Sequence, residues 1–155
     1  MKVTLVRHGQ TNYNLKGLCS EKPGEHVHLT TKGKQQVKTL AKKLESKSFD
    51  VIYVSRLYRT LQTARLINEF HGAPVVEDGR INDRYTGFDS RPLSEFHAAI
   101  RHDPFHARPS GGESLEDTKE RVSRFLKTLQ QQQYERVLVV THSIVVKLLL
   151  LNIEG

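Results

Sequence analysis

The chain has 155 residues, of which 37% are hydrophobic and 26% are charged. This composition is typical of a folded protein of one domain and excludes a disordered chain. Lysine and arginine together number 24 against 17 acidic residues, so the formal net charge of +7 favours anionic partners such as phosphate esters.

Three further features narrow the class of protein. The single cysteine, Cys19, excludes an intrachain disulfide and a multi-cysteine zinc site, and it favours a reducing compartment, so we expect a cytoplasmic protein. The apolar run at residues 1–6 is too short for a secretory signal. The most apolar stretch, residues 137–153, contains His142 and Lys147, so we expect no membrane span.

Four short apolar runs are typical of buried strands. They lie at residues 3–6, 51–54, 75–76 and 137–140. The fourth run is apolar at every position, so we expect it to be buried on both faces of a sheet.

Segments with apolar residues three and four positions apart predict helices between these strands. The first helix begins at Thr30 or Thr31, and the second covers residues 57–70. A short helix is expected at residues 93–100, within an otherwise irregular segment that closes at Gly112.

A strong helix is predicted to begin at Ser114, where Asp117 three residues later resembles a capping box. Residues 144–151 predict the last helix. Because strands alternate with helices, the fold class is predicted to be α/β, a three-layer α/β/α sandwich with a mainly parallel sheet. We expect residues 1–155 to form one domain with a short lid at about residues 84–112.

Polar residues follow three of the predicted strands. The first strand runs into residues 7–9, the second into Ser55 with Arg59 one helical turn later, and the fourth into residues 141–143. In a parallel sheet these three strand ends lie at the same edge, where ligands of such folds bind. We therefore expect two histidines and two arginines to share one pocket.

This set of groups suits a phosphoryl group. An arginine guanidinium matches phosphate oxygens, and histidine can serve as nucleophile, acid or electrostatic clamp. Hydroxyl groups complete such a cradle, and Thr11 and Ser143 are the candidates here. The set requires no metal, so we predict neither a metal site nor a cofactor.

Five motifs in this chain resemble those of the histidine phosphatase superfamily, also called the phosphoglycerate mutase-like family. One motif alone is weak evidence, but five in the family's order, spread over nearly the whole chain, are specific. They are Arg7-His8-Gly9-Gln10-Thr11 with Asn14, Leu29-Thr30-Thr31-Lys32-Gly33, Ser55-Arg56-Leu57-Tyr58-Arg59 with Gln62-Thr63-Ala64, Gly111-Gly112-Glu113-Ser114, and Thr141-His142.

The resemblance implies a phosphoglycerate mutase-like fold and a role for each site residue. His8 would attack phosphorus and carry a phosphohistidine intermediate. Arg7, Arg59 and His142 would bind the phosphoryl oxygens and stabilise charge in the transition state. Asn14 would help to hold the phosphate.

The family often places a glutamate, as acid, in the loop after the third strand. Asp83 stands in that place and is the candidate to protonate the leaving alcohol and then to deprotonate the attacking water. Aspartate is one methylene shorter than glutamate. The alternative is that Asn82-Asp83 only forms a turn.

The chain departs from the family at three other places. Ser143 stands where members often have glycine, and Glu21 lies in a loop that often carries a small or amide residue beside glycine. Glu21 would repel a second anionic group if it faced the pocket. The chain also stops at Gly155, whereas many relatives continue through a further strand. It is either a minimal natural form or one that lacks a C-terminal part, and an uncovered sheet edge would favour a homodimer.

The family contains both phosphatases and mutases. A mutase must keep water from the phosphoenzyme, and the short segment between Asp83 and Glu113 leaves room for only a small lid. We therefore predict a metal-independent phosphomonoesterase that acts on a small phosphorylated metabolite or on a phosphoprotein.

Two alternatives stay open. One is phosphoryl transfer of the phosphoglycerate mutase type, because residues 80–84 have some character of the mutase acid loop. The other is a catalytically weak phosphate-binding protein. A nucleic-acid partner is not expected, because the lysines of residues 32–43 are spread along one helix without aromatic residues between them.

Overall fold

The computed structural model describes residues 1–154, with the side chains of residues 1–153. All four predicted strands are present within this part of the chain. Their bounds are Lys2–Arg7 for β1, Val51–Val54 for β2, Val75–Glu77 for β3 and Arg136–Thr141 for β4.

The strands form one parallel sheet in the order β1-β4-β2-β3. β4 therefore lies between β1 and β2, and its residues 137–140 are all 0% exposed, which confirms the prediction of burial on both faces. Arg7 lies opposite Thr141, and Val54 lies opposite Val140. The carboxyl ends of the three strands that precede the polar motifs thus meet at one edge.

The same part of the chain forms six α-helices, and the five predicted ones are among them. Their bounds are Asn12–Lys16 for α1, Thr31–Leu44 for α2, Tyr58–Asn68 for α3, Leu93–Ile100 for α4, Leu115–Gln130 for α5 and Ser143–Glu154 for α6. Thr30 caps α2 by accepting a hydrogen bond from the Gly33 amide. Ser114 and Asp117 form the predicted capping box at the start of α5.

α1 was not predicted. Its first turn is closed by a capping box between Thr11 and Asn14, and Gly17 ends it in the left-handed conformation at φ 63°. None of its residues is buried, so the sequence shows no apolar periodicity there.

The core has two faces that are separated by the sheet. Leu138 and Val140 of β4 pack with the apolar residues of α2 and α3. Val137 and Val139, which point to the opposite face, pack with those of α5 and α6. The α/β/α sandwich predicted from the sequence is confirmed.

The segment of residues 84–112, here called the lid segment, contains α4 and a short 3₁₀ turn at Pro109–Gly111. It is tied to the loop after α1, because the Cys19 amide donates to the Arg91 carbonyl at 2.9 Å and the Ser90 amide donates to the Cys19 carbonyl at 2.8 Å. Cys19 also packs with Phe88 and Phe96 in a third apolar cluster. The lid segment therefore forms a wall above the sheet edge.

Two glycines set the distance between α2 and the loop after β1. A Cβ atom on Gly33 would lie 2.1 Å from the Gln10 carbonyl oxygen, and one on Gly9 would lie 2.7 Å from the Gly33 carbonyl oxygen. Only glycine permits this approach of two backbones, which fixes the loop that carries His8. No helix in the described part of the chain is long and apolar enough to cross a membrane.

Candidate active site

A pocket of about 470 Å³ opens at the carboxyl edge of the sheet. The predicted site residues that line it are Arg7, His8, Thr11, Asn14, Arg59, Asp83 and Ser143. His142 is packed against His8, with the two ring centroids 5.2 Å apart. The structure thus brings together every residue that the sequence places in the site.

His8 follows β1 directly and is only 8% exposed. Its Nδ1 lies 2.7 Å from the carbonyl oxygen of Gly9. A carbonyl only accepts, so Nδ1 carries the proton and Nε2 keeps a free lone pair. Burial, together with the charges of Arg59 and Arg7, lowers the pKa of His8 from 6.5 to about 3, so the ring is neutral at physiological pH.

His142 follows β4 and is 1% exposed. Its Nε2 forms a hydrogen bond with the Ser55 hydroxyl at 2.8 Å, and Ser55 is in turn bound to Thr60. Its Nδ1 is buried without a hydrogen-bond partner in the described structure and lies 3.7 Å from Asp83 Oδ2. Burial, with the charge of Arg59 next in size, lowers the pKa of His142 well below 6.5. A buried nitrogen without a partner, close to Asp83 of the pocket lining, is a candidate to bind a phosphoryl oxygen.

Arg59, in the first turn of α3, is 4% exposed and is held by three hydrogen bonds. Nη1 donates to the Ser20 hydroxyl at 3.0 Å, and Nη2 donates to the Ser20 carbonyl at 3.0 Å and to Asp83 Oδ2 at 3.2 Å. The Thr63 hydroxyl donates to the Arg59 carbonyl and accepts from the Gly9 amide. The Thr63 side chain therefore joins the backbone of Arg59 to the loop that carries His8.

Asp83 lies where the sequence predicts the acid. One oxygen, Oδ1, accepts from the amide of Arg84 at 2.9 Å, as a turn-forming aspartate does, while Oδ2 faces Arg59 in the pocket. The side chain is 34% exposed. Desolvation by the surrounding protein raises the pKa of Asp83, and Arg59 opposes that rise. The sequence left open whether Asp83 forms a turn or faces the pocket. In the structure this residue does both.

Four further predicted residues surround the phosphate-sized end of the pocket. Arg7 ends β1 and is exposed there. The Asn14 side-chain oxygen accepts from the Thr11 amide at 2.9 Å, which leaves its NH₂ group to donate. Ser143 is the first residue of α6, so the positive end of the α6 dipole lies at the pocket.

Sequence reasoning missed the residues that hold this site in place. Arg121 donates to the backbone carbonyls of Arg80 and Asp83 and to the Glu113 carboxylate, so it fixes the loop that carries the acid. The Thr141 hydroxyl donates to the Ile81 carbonyl at 2.6 Å. Glu113 lies just before α5 and Arg121 lies within it, and this pair of opposite charges eight positions apart is the one signal that could have found such a contact.

The far side of the pocket differs in character from the phosphate end. It is lined by apolar side chains, with the exposed residues His97 and Lys147 beside them. The apolar residues are Leu18, Cys19, Leu93, Phe96, Ile100 and Ile144. A leaving group with an apolar part fits this end better than a strongly hydrated one.

The comparisons with known proteins agree with this geometry. The chain is 34% identical to the adenosylcobalamin/alpha-ribazole phosphatase of Escherichia coli, covering 100% of this chain and 80% of that protein. It is 33% identical to a 2,3-bisphosphoglycerate-dependent phosphoglycerate mutase of Brucella melitensis, over 99% of this chain and 81% of the mutase. The crystal structure of the alpha-ribazole phosphatase from Shigella flexneri matches with a TM-score of 0.92 at 32% identity, covering 100% of this chain and 80% of that one.

These relatives confirm the phosphatase function and the phosphoglycerate mutase-like fold that the sequence predicts, and the mutase among them is consistent with the alternative. The model of the histidine phosphatase superfamily (branch 1) matches residues 3–155. The chain belongs to the histidine phosphatase superfamily.

Proposed function

We propose that the protein hydrolyses phosphate monoesters in two steps through a phosphohistidine on His8. The observation that carries this proposal is the hydrogen bond from His8 Nδ1 to the Gly9 carbonyl, which leaves Nε2 unprotonated in a pocket with two arginines. A neutral imidazole with a free lone pair is a nucleophile, and the arginines neutralise the phosphate that it attacks.

In the first step, the lone pair of His8 Nε2 forms a bond to phosphorus as the bond between phosphorus and the ester oxygen breaks. Asp83 gives its proton to that oxygen, so the leaving group departs as an alcohol. Arg7, Arg59 and His142 donate to the three phosphoryl oxygens, on which charge is distributed in the transition state.

In the second step, a water molecule attacks the phosphohistidine. The Asp83 carboxylate takes a proton from the water, the new bond to oxygen forms, and the bond between phosphorus and His8 Nε2 breaks. Inorganic phosphate leaves, and both His8 and Asp83 return to their starting protonation states. Side-chain cations supply the charge neutralisation, so the scheme needs neither a metal nor a cofactor.

The comparison of two variants tests this scheme. On p-nitrophenyl phosphate, His8→Ala is expected to lose at least about 10³-fold in kcat, since it lacks the nucleophile. His102→Ala, which removes an exposed histidine outside the pocket, should keep wild-type activity. Alkali-quenched wild-type enzyme should carry a phosphoryl group on His8, because the phosphorus–nitrogen bond of phosphohistidine is stable in alkali and is broken by acid. Equal, near-zero rates for wild type and His8→Ala would support a phosphate-binding protein instead.

Hydrolysis is favoured over mutase chemistry by the curated phosphatases among the relatives and by the short lid segment. The similarity to the Brucella melitensis mutase means that phosphoglycerate mutase activity is the alternative to test. Incubation with 3-phosphoglycerate and a bisphosphate primer separates the two. Phosphate release without 2-phosphoglycerate supports hydrolysis, and formation of 2-phosphoglycerate contradicts it.

The substrate class, compartment and assembly remain part of the proposal. A small phosphorylated metabolite suits the pocket, with a phosphoprotein as the alternative, and alpha-ribazole 5′-phosphate is the first compound to test because relatives are named for it. The buried, unpaired Cys19 supports the cytoplasm. Self-association into a homodimer is testable by size-exclusion chromatography with light scattering.

A further inference from the structure

A second carboxylate, that of Glu21, lines the pocket beside the site that binds phosphate. It follows Ser20, whose hydroxyl and carbonyl both accept from Arg59. Glu21 is thus adjacent in the chain to the residue that holds the phosphate-binding guanidinium. The proposed reaction gives Glu21 no part.

The Glu21 side chain is held firmly in that position. One carboxylate oxygen accepts from the amide and the hydroxyl of Thr86, and the other accepts from the amide of Gly87 at 3.2 Å. The Glu21 amide itself donates to Asp89 Oδ1 at 2.8 Å. Three hydrogen bonds from the lid segment therefore hold the carboxylate, and a fourth holds the Glu21 backbone.

The charge of Glu21 is not neutralised by the protein around it. All its hydrogen-bond donors are neutral, and Glu21 forms no salt bridge with the described residues. The other pocket carboxylate, Asp83, is paired with Arg59. Arg84 also lines the pocket, but its guanidinium donates to the Glu113 carbonyl and lies over the ring of Phe96.

Once a phosphate occupies Arg7 and Arg59, little cationic charge is left for a second anion. Lys147 is the remaining cation of the pocket lining, and it is exposed, so solvent screens it more than it screens the half-buried Glu21. We infer that Glu21 is a specificity-determining residue that selects phosphate monoesters whose leaving group carries no second anionic group near the ester. This inference rests on the proposed function.

Two matched pairs of substrates test this selection. Glycerol 3-phosphate and 3-phosphoglycerate differ by one carboxylate, and so do phosphoethanolamine and phosphoserine. For the wild-type protein, kcat/KM is expected to be about tenfold higher for the member without the carboxylate, because two negative charges repel across a partly desolvated pocket. Equal values, or higher values for the anionic members, would overturn the inference.

A variant that removes the charge of Glu21 tests whether this residue causes the discrimination against anionic substrates. In Glu21→Gln, the ratio of the two kcat/KM values should fall to near one, mainly through a rise for the anionic member. Glu69→Gln is the matched control, since this exposed residue lies ten positions after Arg59, roughly 15 Å along the α3 axis, and should keep the wild-type ratio. Lys147→Met should keep or increase the discrimination.

A purely structural role of Glu21 gives a different result. If Glu21 only holds Thr86 and Gly87, then Glu21→Gln lowers kcat/KM for both members of a pair by the same factor, and the inference fails. If that variant does not fold, the wild-type protein still provides a test. Its discrimination should weaken as the ionic strength rises from about 0.01 M to about 1 M, over which the screening length shortens from about 30 Å to about 3 Å. A ratio that does not change with salt contradicts the inference.

Failure of the inference and failure of the proposed function give distinct results. If p-nitrophenyl phosphate hydrolysis is absent or independent of His8, the proposed function fails, and the same compound pairs are then compared by calorimetry as ligands. If His8-dependent hydrolysis is present but the carboxylate makes no difference, only the selection by Glu21 fails.

Discussion

Arg59 and Asp83 are joined across the pocket, with Arg59 Nη2 3.2 Å from Asp83 Oδ2. The cation that is proposed to bind phosphate therefore also holds the proposed acid. A phosphate that binds to Arg59 competes with Asp83 for the same guanidinium. In the proposed scheme, substrate binding thus frees the Asp83 carboxyl and, by occupying its counter-charge, favours its protonated form.

The first prediction follows from this pair. Asp83→Asn is expected to lower kcat for an alkyl phosphate by about 10²–10⁴-fold, because an alkoxide leaves poorly without a proton. The loss should be much smaller on p-nitrophenyl phosphate, since nitrophenolate is a stable anion. Steady-state kinetics on both esters give the answer, with Asp103→Asn outside the pocket as control. Equal losses on the two esters would show that Asp83 is not the acid.

The pH dependence of kcat/KM follows from two pKa values. His8 must be neutral to attack, and its pKa of about 3 keeps it neutral at all higher pH values. Asp83 must be protonated in the first step, so activity on an alkyl ester should fall as the pH rises through its pKa, which lies above the ordinary value. In Asp83→Asn this alkaline limb should be absent, whereas the titration of the substrate is common to both proteins. A limb that persists in the variant excludes Asp83 as its source.

Arg59→Lys tests the phosphate cradle. Lysine keeps the charge but cannot reproduce the fork of the guanidinium, so we expect the inhibition constant of vanadate to rise by roughly 10–100-fold. Arg65→Lys, an exposed position on the same helix, should behave like the wild type. Calorimetry with inorganic phosphate provides a second measurement. An unchanged affinity in Arg59→Lys would place the anion elsewhere.

Gly33→Ala is expected to destabilise the fold. The added Cβ would lie 2.1 Å from the Gln10 carbonyl oxygen, so the backbone must move at a cost of about 1–3 kcal/mol or more in the free energy of unfolding. Urea denaturation measures this cost, and Lys34→Ala at the next, exposed position should be nearly neutral. Because the same contact positions the His8 loop, activity should decrease as well. If the urea midpoint of Gly33→Ala equals that of the wild-type protein, the prediction is wrong.

Activity is expected to survive removal of metals. In the proposed scheme Arg7 and Arg59 neutralise the charge of the transferred phosphoryl group, so dialysis against EDTA should leave kcat unchanged. Loss of activity that magnesium restores would contradict the scheme.

The strands and the long helices were predictable from the sequence because each carries a continuous or periodic apolar pattern. β4 is the clearest example, since four consecutive apolar residues predicted burial on both faces, and helices cover it on both faces. α1 escaped prediction because it buries no residue, although its Thr11–Asn14 capping box and Gly17 are visible in the sequence.

The candidate site was predictable as far as parallel strands determine it. Arg7, His8 and His142 follow strand ends, and a parallel sheet brings such ends together. The contacts of Ser20 with Arg59 and of Arg121 with the loop of Asp83 could not be predicted, because they join distant loops with no fixed spacing. The lid segment has no apolar period apart from α4, so its attachment to the loop after α1 depends on tertiary packing alone.

The central place of β4 also bears on the synthesis of the protein. His8 and Arg59 emerge early from the ribosome, but the strand that separates β1 from β2 and delivers His142 is the last of the four to be made. A nascent chain therefore carries His8 before the pocket that surrounds it exists. Because β1 pairs with β4 alone, the four-stranded sheet and the site at its edge can form only after translation has passed residue 142.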